Sequence, residues 1–310
     1  MKRIVLSLAI IAALSAPILN AQEKLKILST IKPVHSLVAA IAGGFGESEL
    51  IIPGHASPHH YSLKPSDLRR LNAADLIFRI DSKLESFLQK SLRSISKEKV
   101  ITLAHAAGLE LLPAVESDDH AVQSQEKSHS HETEEMLPSV DYHLWLAPGN
   151  AVILANYIRD ALIKAIPEQR TKLIANAKQL VISIREKDQT IIEQLESVKD
   201  TPFLVTHNAW QYFTTHYQLN QIGSVSAQEH LRPSAKAISE ARADLVNSNI
   251  KCLVAEPNLK KKTLRVLTED LPINITEIDP LGQAIPESNL AYPQLLQYTA
   301  DKLLNCLKNK

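Results

Sequence analysis

Three histidines stand where a folded chain can aim a side chain into a cleft. They are His59 in Ser57-Pro58-His59-His60-Tyr61, His143 in Tyr142-His143-Leu144-Trp145, and His207 in Leu204-Val205-Thr206-His207-Asn208. Each lies beside a turn signal or at the end of an apolar run. Neutral imidazole is the commonest protein ligand for zinc, so the three read as ligands of one metal ion. Asp279 joins them as a candidate, because it closes the apolar run 275–278 and precedes Pro280-Leu281-Gly282. A single His or Asp of this kind is more often a plain surface residue. Four at corresponding loop positions are harder to dismiss, although spacing alone defines no site and no His-Glu-x-x-His helix gives a local signal.

The elements around these residues read as two α/β units with mostly parallel sheets. In the first, runs 25–29, 49–53, 76–80 and 100–103 read as strands, with helices over 34–42 and from Ser66 onward, where Asp67 falls in the first turn. Strand and helix in alternation argue for a parallel sheet covered by helices. Residues 151–166 read as a helix. Pro167 then fits the first turn of a second, in which Leu173, Ala177, Leu180, Ile184, Ile191 and Leu195 recur at helical spacing up to about Val198. About thirty helical residues would span roughly 45 Å and form a rigid spine between two domains. Strands over 203–206, 250–255 and 275–278, with helices over 234–245 and 294–307, give the second unit. In open α/β sheets ligands bind beyond the carboxyl ends of the strands. That rule places His207 and Asp279 at the second unit's lip and His59 at the first's, with the ion between the domains.

Length and composition bound the rest. The chain has 310 residues and is 45% apolar, enough for two domains with real cores. Its 34 basic and 34 acidic residues give no basic face for nucleic acid. Residues 1–21 read as a secretory signal peptide: Lys2 and Arg3, an apolar stretch over 4–16 too short to span a membrane, Pro17, and a cleavage site at Leu19-Asn20-Ala21. No cysteine follows that site to carry a lipid, and no later run is long and apolar enough to cross a membrane. The expectation is a soluble, monomeric protein of the periplasm. Its domains are then 22–150, a helical linker over 151–200, and 201–310. In an oxidising compartment Cys252 and Cys306 are disulfide candidates, the alternative being two buried thiols. Residues 116–135 exchange apolar side chains for acids, serines, His120, His129 and His131, and read as a mobile loop.

The stretch from Gly54 through His59-His60-Tyr61 to Pro65-Ser66-Asp67 resembles the signature of the cluster A substrate-binding proteins of metal ABC importers. His143-Leu144-Trp145-Leu146-Ala147-Pro148, Thr206-His207-Asn208-Ala209-Trp210, Ala255-Glu256-Pro257 and Asp279-Pro280-Leu281-Gly282 are similar to that family's later motifs, in order and over the whole mature chain. The resemblance implies zinc bound by His59, His143 and His207, with Asp279 or water as fourth ligand, and delivery to an ABC-type membrane permease without enzymatic turnover. His60 is then exposed. Manganese-binding relatives carry a carboxylate where this chain has His207, and imidazole there favours zinc. Some members use a glutamate just before the first His, where this chain has Pro58. Glu256 either orients a ligand from behind or pairs with a nearby base. The 116–135 loop occupies the place of the family's His-rich loop, as an auxiliary zinc site or merely a solvated acidic segment. Two other functions stay open: manganese or iron capture in the same family, and a secreted zinc hydrolase with zinc-bound water as nucleophile.

Overall fold

The apolar runs assemble into two separate four-stranded sheets, parallel throughout. In the computed structural model, which describes residues 24–53, 56–59, 61–114, 139–226 and 234–308, strands β1 (Leu25–Ser29), β2 (Gly46–Leu50), β3 (Leu76–Arg79) and β4 (Val100–Thr102) form one sheet. Strands β5 (Phe203–His207), β6 (Gln221–Ser226), β7 (Cys252–Ala255) and β8 (Asn274–Glu277) form the other. The orders are β2-β1-β3-β4 and β6-β5-β7-β8, one topology used twice. In each sheet the chain steps from the first strand to one side and then crosses to the other. The switch points therefore lie between β1 and β3 and between β5 and β7, where parallel sheets open a crevice. Every residue of β5 and β7 is buried, as a sheet covered on both faces requires. The expected signal peptide, the 116–135 loop with His120, His129 and His131, and His60 lie outside the described residues.

The helices are α1 (Lys32–Ala42), α2 (Pro65–Ala73), α3 (Gln89–Leu92), α4 (Pro148–Ala165), α5 (Arg170–Leu195), α6 (Gln211–His216), α7 (Ala235–Asn247), α8 (Lys261–Thr268) and α9 (Ala291–Lys308). Helix α1 ends because Gly43 takes the left-handed conformation, φ 55°, and its N–H closes on Ala39 O. The spine is α5, about 39 Å long at 1.5 Å per residue, flanked by 3-10 turns at Pro167–Gln169 and Glu196–Val198. Its buried stripe is Leu173, Ala177, Leu180, Ile184, Ile191 and Leu195. That stripe packs on α1 and α4 from the first half and α9 from the second. One apolar core consequently runs from Ile27 through the spine to Leu307, with a smaller cluster around Leu204, Leu253 and Leu267 on the second sheet. The Cys252–Cys306 disulfide ties α9 to β7.

The second strand differs from its expected 49–53 by three residues. Ile51 and Ile52 supply the apolar signal and still bond to the β1 side, through Ile51 N to Ser29 O at 2.8 Å and Ile52 N to Thr30 O at 3.1 Å. The strand proper is the polar Gly46–Leu50, because it lies at the sheet edge and buries only one face. The edge strand β6 is polar for the same reason and gives no sequence signal. Both α2 and α4 start on a proline, one and three residues ahead of expectation, since proline suits a position whose N–H needs no helical partner.

At the first sheet's switch point the crevice is filled from within. Glu85 is fully buried. One of its oxygens accepts from the Thr30 hydroxyl and from Ile80 N at 3.1 Å, the other from Asp81 N at 2.9 Å. Burial outweighs these donors and pushes the carboxyl up from 4.5 to about 7. A raised carboxyl contributes stability that is complete below its unfolded value and lost as pH rises through the folded one. Between pH 4.5 and 8 the stability of the wild type relative to Glu85→Gln should therefore fall, by roughly 3 kcal/mol. Urea unfolding at stepped pH measures this, and parallel curves for the two proteins would rule the assignment out.

Candidate metal centre

His207 ends β5, and Glu256 follows β7 directly, so the neighbouring strands bring together two side chains 49 residues apart. His207 Nδ1 lies 2.7 Å from Glu256 Oε1, and both side chains are buried. A carboxylate only accepts, so Nδ1 carries the proton and Nε2 keeps the lone pair. This is the second sheet's switch point, where the first sheet has Glu85. The same crevice is plugged in one lobe and equipped with an imidazole in the other.

His143 is fixed in the same way by a different element. It opens the 3-10 turn Leu144–Leu146. Asp141 Oδ1 accepts from His143 N at 2.9 Å and lies 2.7 Å from His143 Nδ1. Asp141 is held in turn. The antiparallel bridge Pro113–Val140 precedes it. Tyr212, from α6 of the second lobe, accepts from Leu112 N at 3.0 Å and donates to Asp141 O at 2.7 Å. Burial pushes the Tyr212 phenol up to about 12, so it stays a donor.

His59 sits on the loop between β2 and α2 and is half-buried. Its N–H donates to Ser57 Oγ at 3.3 Å. Downstream the loop is anchored by Asp67, the third residue of α2. Its Oδ2 accepts from Tyr61 Oη and Lys64 N, both at 2.9 Å, and its Oδ1 accepts from Arg70 at 2.6 Å. Burial alone would push this carboxyl up. The Lys64, Arg70 and Tyr61 donors outweigh it and hold the group below the usual carboxylate range. Arg70 also donates to Leu50 O at 2.9 Å, which ties the loop's end back to the end of β2.

These three anchors make the imidazoles converge. Ring centroids lie 5.4 Å apart for His59 and His143, 5.7 Å for His59 and His207, and 5.1 Å for His143 and His207. One ligand atom from each lies within 4.8 Å of the others. A tetrahedral ion with bonds of about 2.0–2.1 Å needs nitrogens roughly 3.4 Å apart, so small ring rotations close the site. Ala56, Pro58, Trp145, Pro257 and Leu281 supply apolar walls. The cavity volume is about 20 Å³, room for an ion or a water.

Asp279 lines this cleft but is not in the group at ligand distance. Each of its oxygens accepts a bond from its own loop, Oδ1 from Leu281 N at 2.9 Å and Oδ2 from Gln283 N at 2.8 Å. Of the four candidates the structure thus brings three together. Glu256 stands behind His207. Sequence reading missed Asp141, although an Asp two residues before a candidate His is a readable signal, since that spacing lets the carboxylate fold back onto Nδ1. It also missed Tyr212, which carries no local signal.

The profile of the family described as "Zinc-uptake complex component A periplasmic", ZnuA, matches residues 27–306. The chain is 32% identical to the high-affinity zinc uptake system protein ZnuA of Haemophilus ducreyi, over 99% of each chain. It is 29% identical to the protein of the same name from Yersinia pestis, over 91% of each. A crystal structure of ZnuA superimposes with a TM-score of 0.77 at 22% identity, covering 92% of this chain and 100% of that one. FpvC of Pseudomonas aeruginosa, a substrate-binding protein solved in complex with Mn2+, gives 0.77 at 18% identity, covering 92% and 99%.

The carboxylates behind the imidazoles generate a direct expectation. Asp141→Ala and Glu256→Ala should each weaken metal binding by about tenfold to hundredfold, with Asn and Gln at these positions losing less. Chelator competition reads this, with thermal melting of the metal-free proteins as the control. Wild-type affinity in both alanine variants would remove the orienting role.

Proposed function

The chain belongs to the ZnuA family of periplasmic zinc-uptake components, and from that membership we propose that it captures one Zn2+ between its lobes and delivers it to an ABC-type membrane permease. The ligands are His59, His143 and His207, and water completes the shell. The observation that carries this reading is the convergence of three imidazoles, two of them with Nδ1 held by a buried carboxylate. That bond fixes ring orientation, directs Nε2 to the ion and raises its basicity. Asp141 and Glu256 together offset the charge of a divalent ion that the apolar walls would otherwise leave uncompensated.

Three nitrogens and a water suit zinc. Manganese and iron(II) favour harder oxygen ligands, and a carboxylate in place of His207 would shift the site toward them. The hydrolase reading has less behind it, because Asp141 and Glu256, the buried carboxylates beside the imidazoles, bond the Nδ1 atoms of His143 and His207 rather than facing a position for an attacking water.

The remaining assignments belong to the same proposal: export by a signal peptide over 1–21, lobes over 22–150 and 201–310 joined by 151–200, and a monomer in the periplasm. Among the described residues no helix is long and apolar enough to cross a membrane. His120, His129 and His131, outside the described residues, are auxiliary zinc ligands in the same proposal.

Competition with a chelator tests the proposal. The wild type should bind one zinc tightly. His59→Ala, His143→Ala and His207→Ala should each lose more affinity than the loss of an orienting group, hence more than about tenfold to hundredfold. Binding should weaken in acid, because protons compete for the same three nitrogens. Unchanged affinity in all three variants would overturn it.

A further inference from the structure

Tyr212 reaches from α6 into a short backbone ladder of the first lobe. Residues 112–114 and 139–141 run antiparallel, bridged at Pro113 and Val140. Ala114 N bonds to Ser139 O at 2.6 Å, and Asp141 N to Leu112 O at 2.9 Å. In an antiparallel ladder every second facing pair exchanges two bonds. Leu112 and Asp141 hold such a position, but only one of their two bonds is direct. The other runs through a phenol: Leu112 N donates to Tyr212 Oη at 3.0 Å, and Tyr212 Oη donates to Asp141 O at 2.7 Å.

A direct bond would hold that nitrogen and oxygen about 2.9 Å apart. The hydroxyl wedged between them keeps the ladder open at this step. Which strand is displaced follows from the anchors. The Leu112 side is fixed two residues upstream, where the buried Asn150 of α4 accepts from Glu110 N and donates to Glu110 O, both at 2.9 Å. The Asp141 side carries the carboxylate that accepts from His143 N at 2.9 Å and lies 2.7 Å from His143 Nδ1. The wedge therefore sets the place of Asp141 and, through it, the His143 ring. A buried phenol needs hydrogen-bond partners, but the ladder would be complete without one. The phenol also belongs to the segment that presents His207, since β5 ends on His207 and α6 begins at Gln211. One short stretch of the second lobe thus supplies one imidazole and seats the carboxylate behind another.

We propose that Tyr212 is a positioning residue for metal capture: its hydroxyl, wedged between Leu112 N and Asp141 O, registers His143 of the first lobe against His207 of the second. The inference rests on the zinc-capture reading above and links two of its ligands across the lobe boundary. Phe at 212 removes the wedge and leaves Leu112 N and Asp141 O to bond directly. The ladder then closes and the backbone keeps its partners, while the Asp141 carboxylate leaves its place behind Nδ1. Loss of the hydroxyl should accordingly show in metal binding far more than in folding.

The test compares wild type, Tyr212→Phe, Asp141→Ala and the double variant. Asn150→Ala, which frees the same ladder at Glu110, replaces Tyr212→Phe if that variant does not fold. Zinc dissociation constants come from chelator competition, and thermal melting of the metal-free proteins reports folding. Proton–nitrogen NMR of the metal-free proteins follows the Nδ1–H groups of the two carboxylate-backed rings, assigned with His143→Ala and His207→Ala. Tyr212→Phe should melt close to the wild type and lose on the order of tenfold in zinc affinity. It should shift the Nδ1–H signal of His143 and leave that of His207 in place. In the Asp141→Ala background the same change should cost no further affinity. Wild-type affinity with an unshifted His143 signal overturns the proposal. So does a loss that is undiminished without the Asp141 carboxylate, since Tyr212 would then act by another route. The zinc reading fails separately, as a wild type whose zinc affinity ignores the three histidines, and the NMR signals, read without metal, still test the wedge in that case.

Discussion

The bond from an imidazole Nδ1 to a buried carboxylate is the interaction on which this site depends. It occurs twice, at His143 with Asp141 and at His207 with Glu256, each at 2.7 Å. A free imidazole has two nitrogens and a rotating ring. Each of these has one nitrogen occupied, one presented and one orientation. The fold itself thus orients two of the three rings.

The convergence of the three imidazoles requires that the two lobes stay in register, because the rings belong to both. The continuous core provides that. Helix α5 buries one stripe against α1, α4 and α9, so the lobes share apolar contacts along the spine rather than meeting through a flexible linker. Polar ties cross the boundary near the ion: Tyr212 to Asp141 and Leu112, Trp145 to Pro280, and Lys32 to Gln283 and Ile285. The two sheets share one topology, yet the first switch point is filled by the Glu85 carboxylate, while the second carries the His207 imidazole backed by Glu256.

Much of this was legible in the sequence. The paired α/β sheets and the long spine follow from buried strands with continuous apolar runs and from the 3.6-residue stripe of α5. The three histidines stand at ends of elements, and their motifs carry a resemblance. What stayed illegible has physical reasons. Edge strands β2 and β6 bury one face and look polar. Asp279 sits where the rule for parallel sheets puts a ligand, and its oxygens also accept from backbone N–H groups two and four residues on, a local turn that no spacing announces. Lys32 reads as an ordinary helix-start lysine, and only the fold shows that it reaches a loop about 250 residues away.

The central claim is that three imidazoles, and no protein carboxylate, hold the ion. Zinc-edge X-ray absorption on the loaded protein addresses it most directly. The account predicts a four-coordinate shell with three imidazole nitrogens at about 2.0–2.1 Å and a single light scatterer from water. A shell with only two imidazoles, or one whose oxygen contribution disappears in Asp279→Ala, would contradict it.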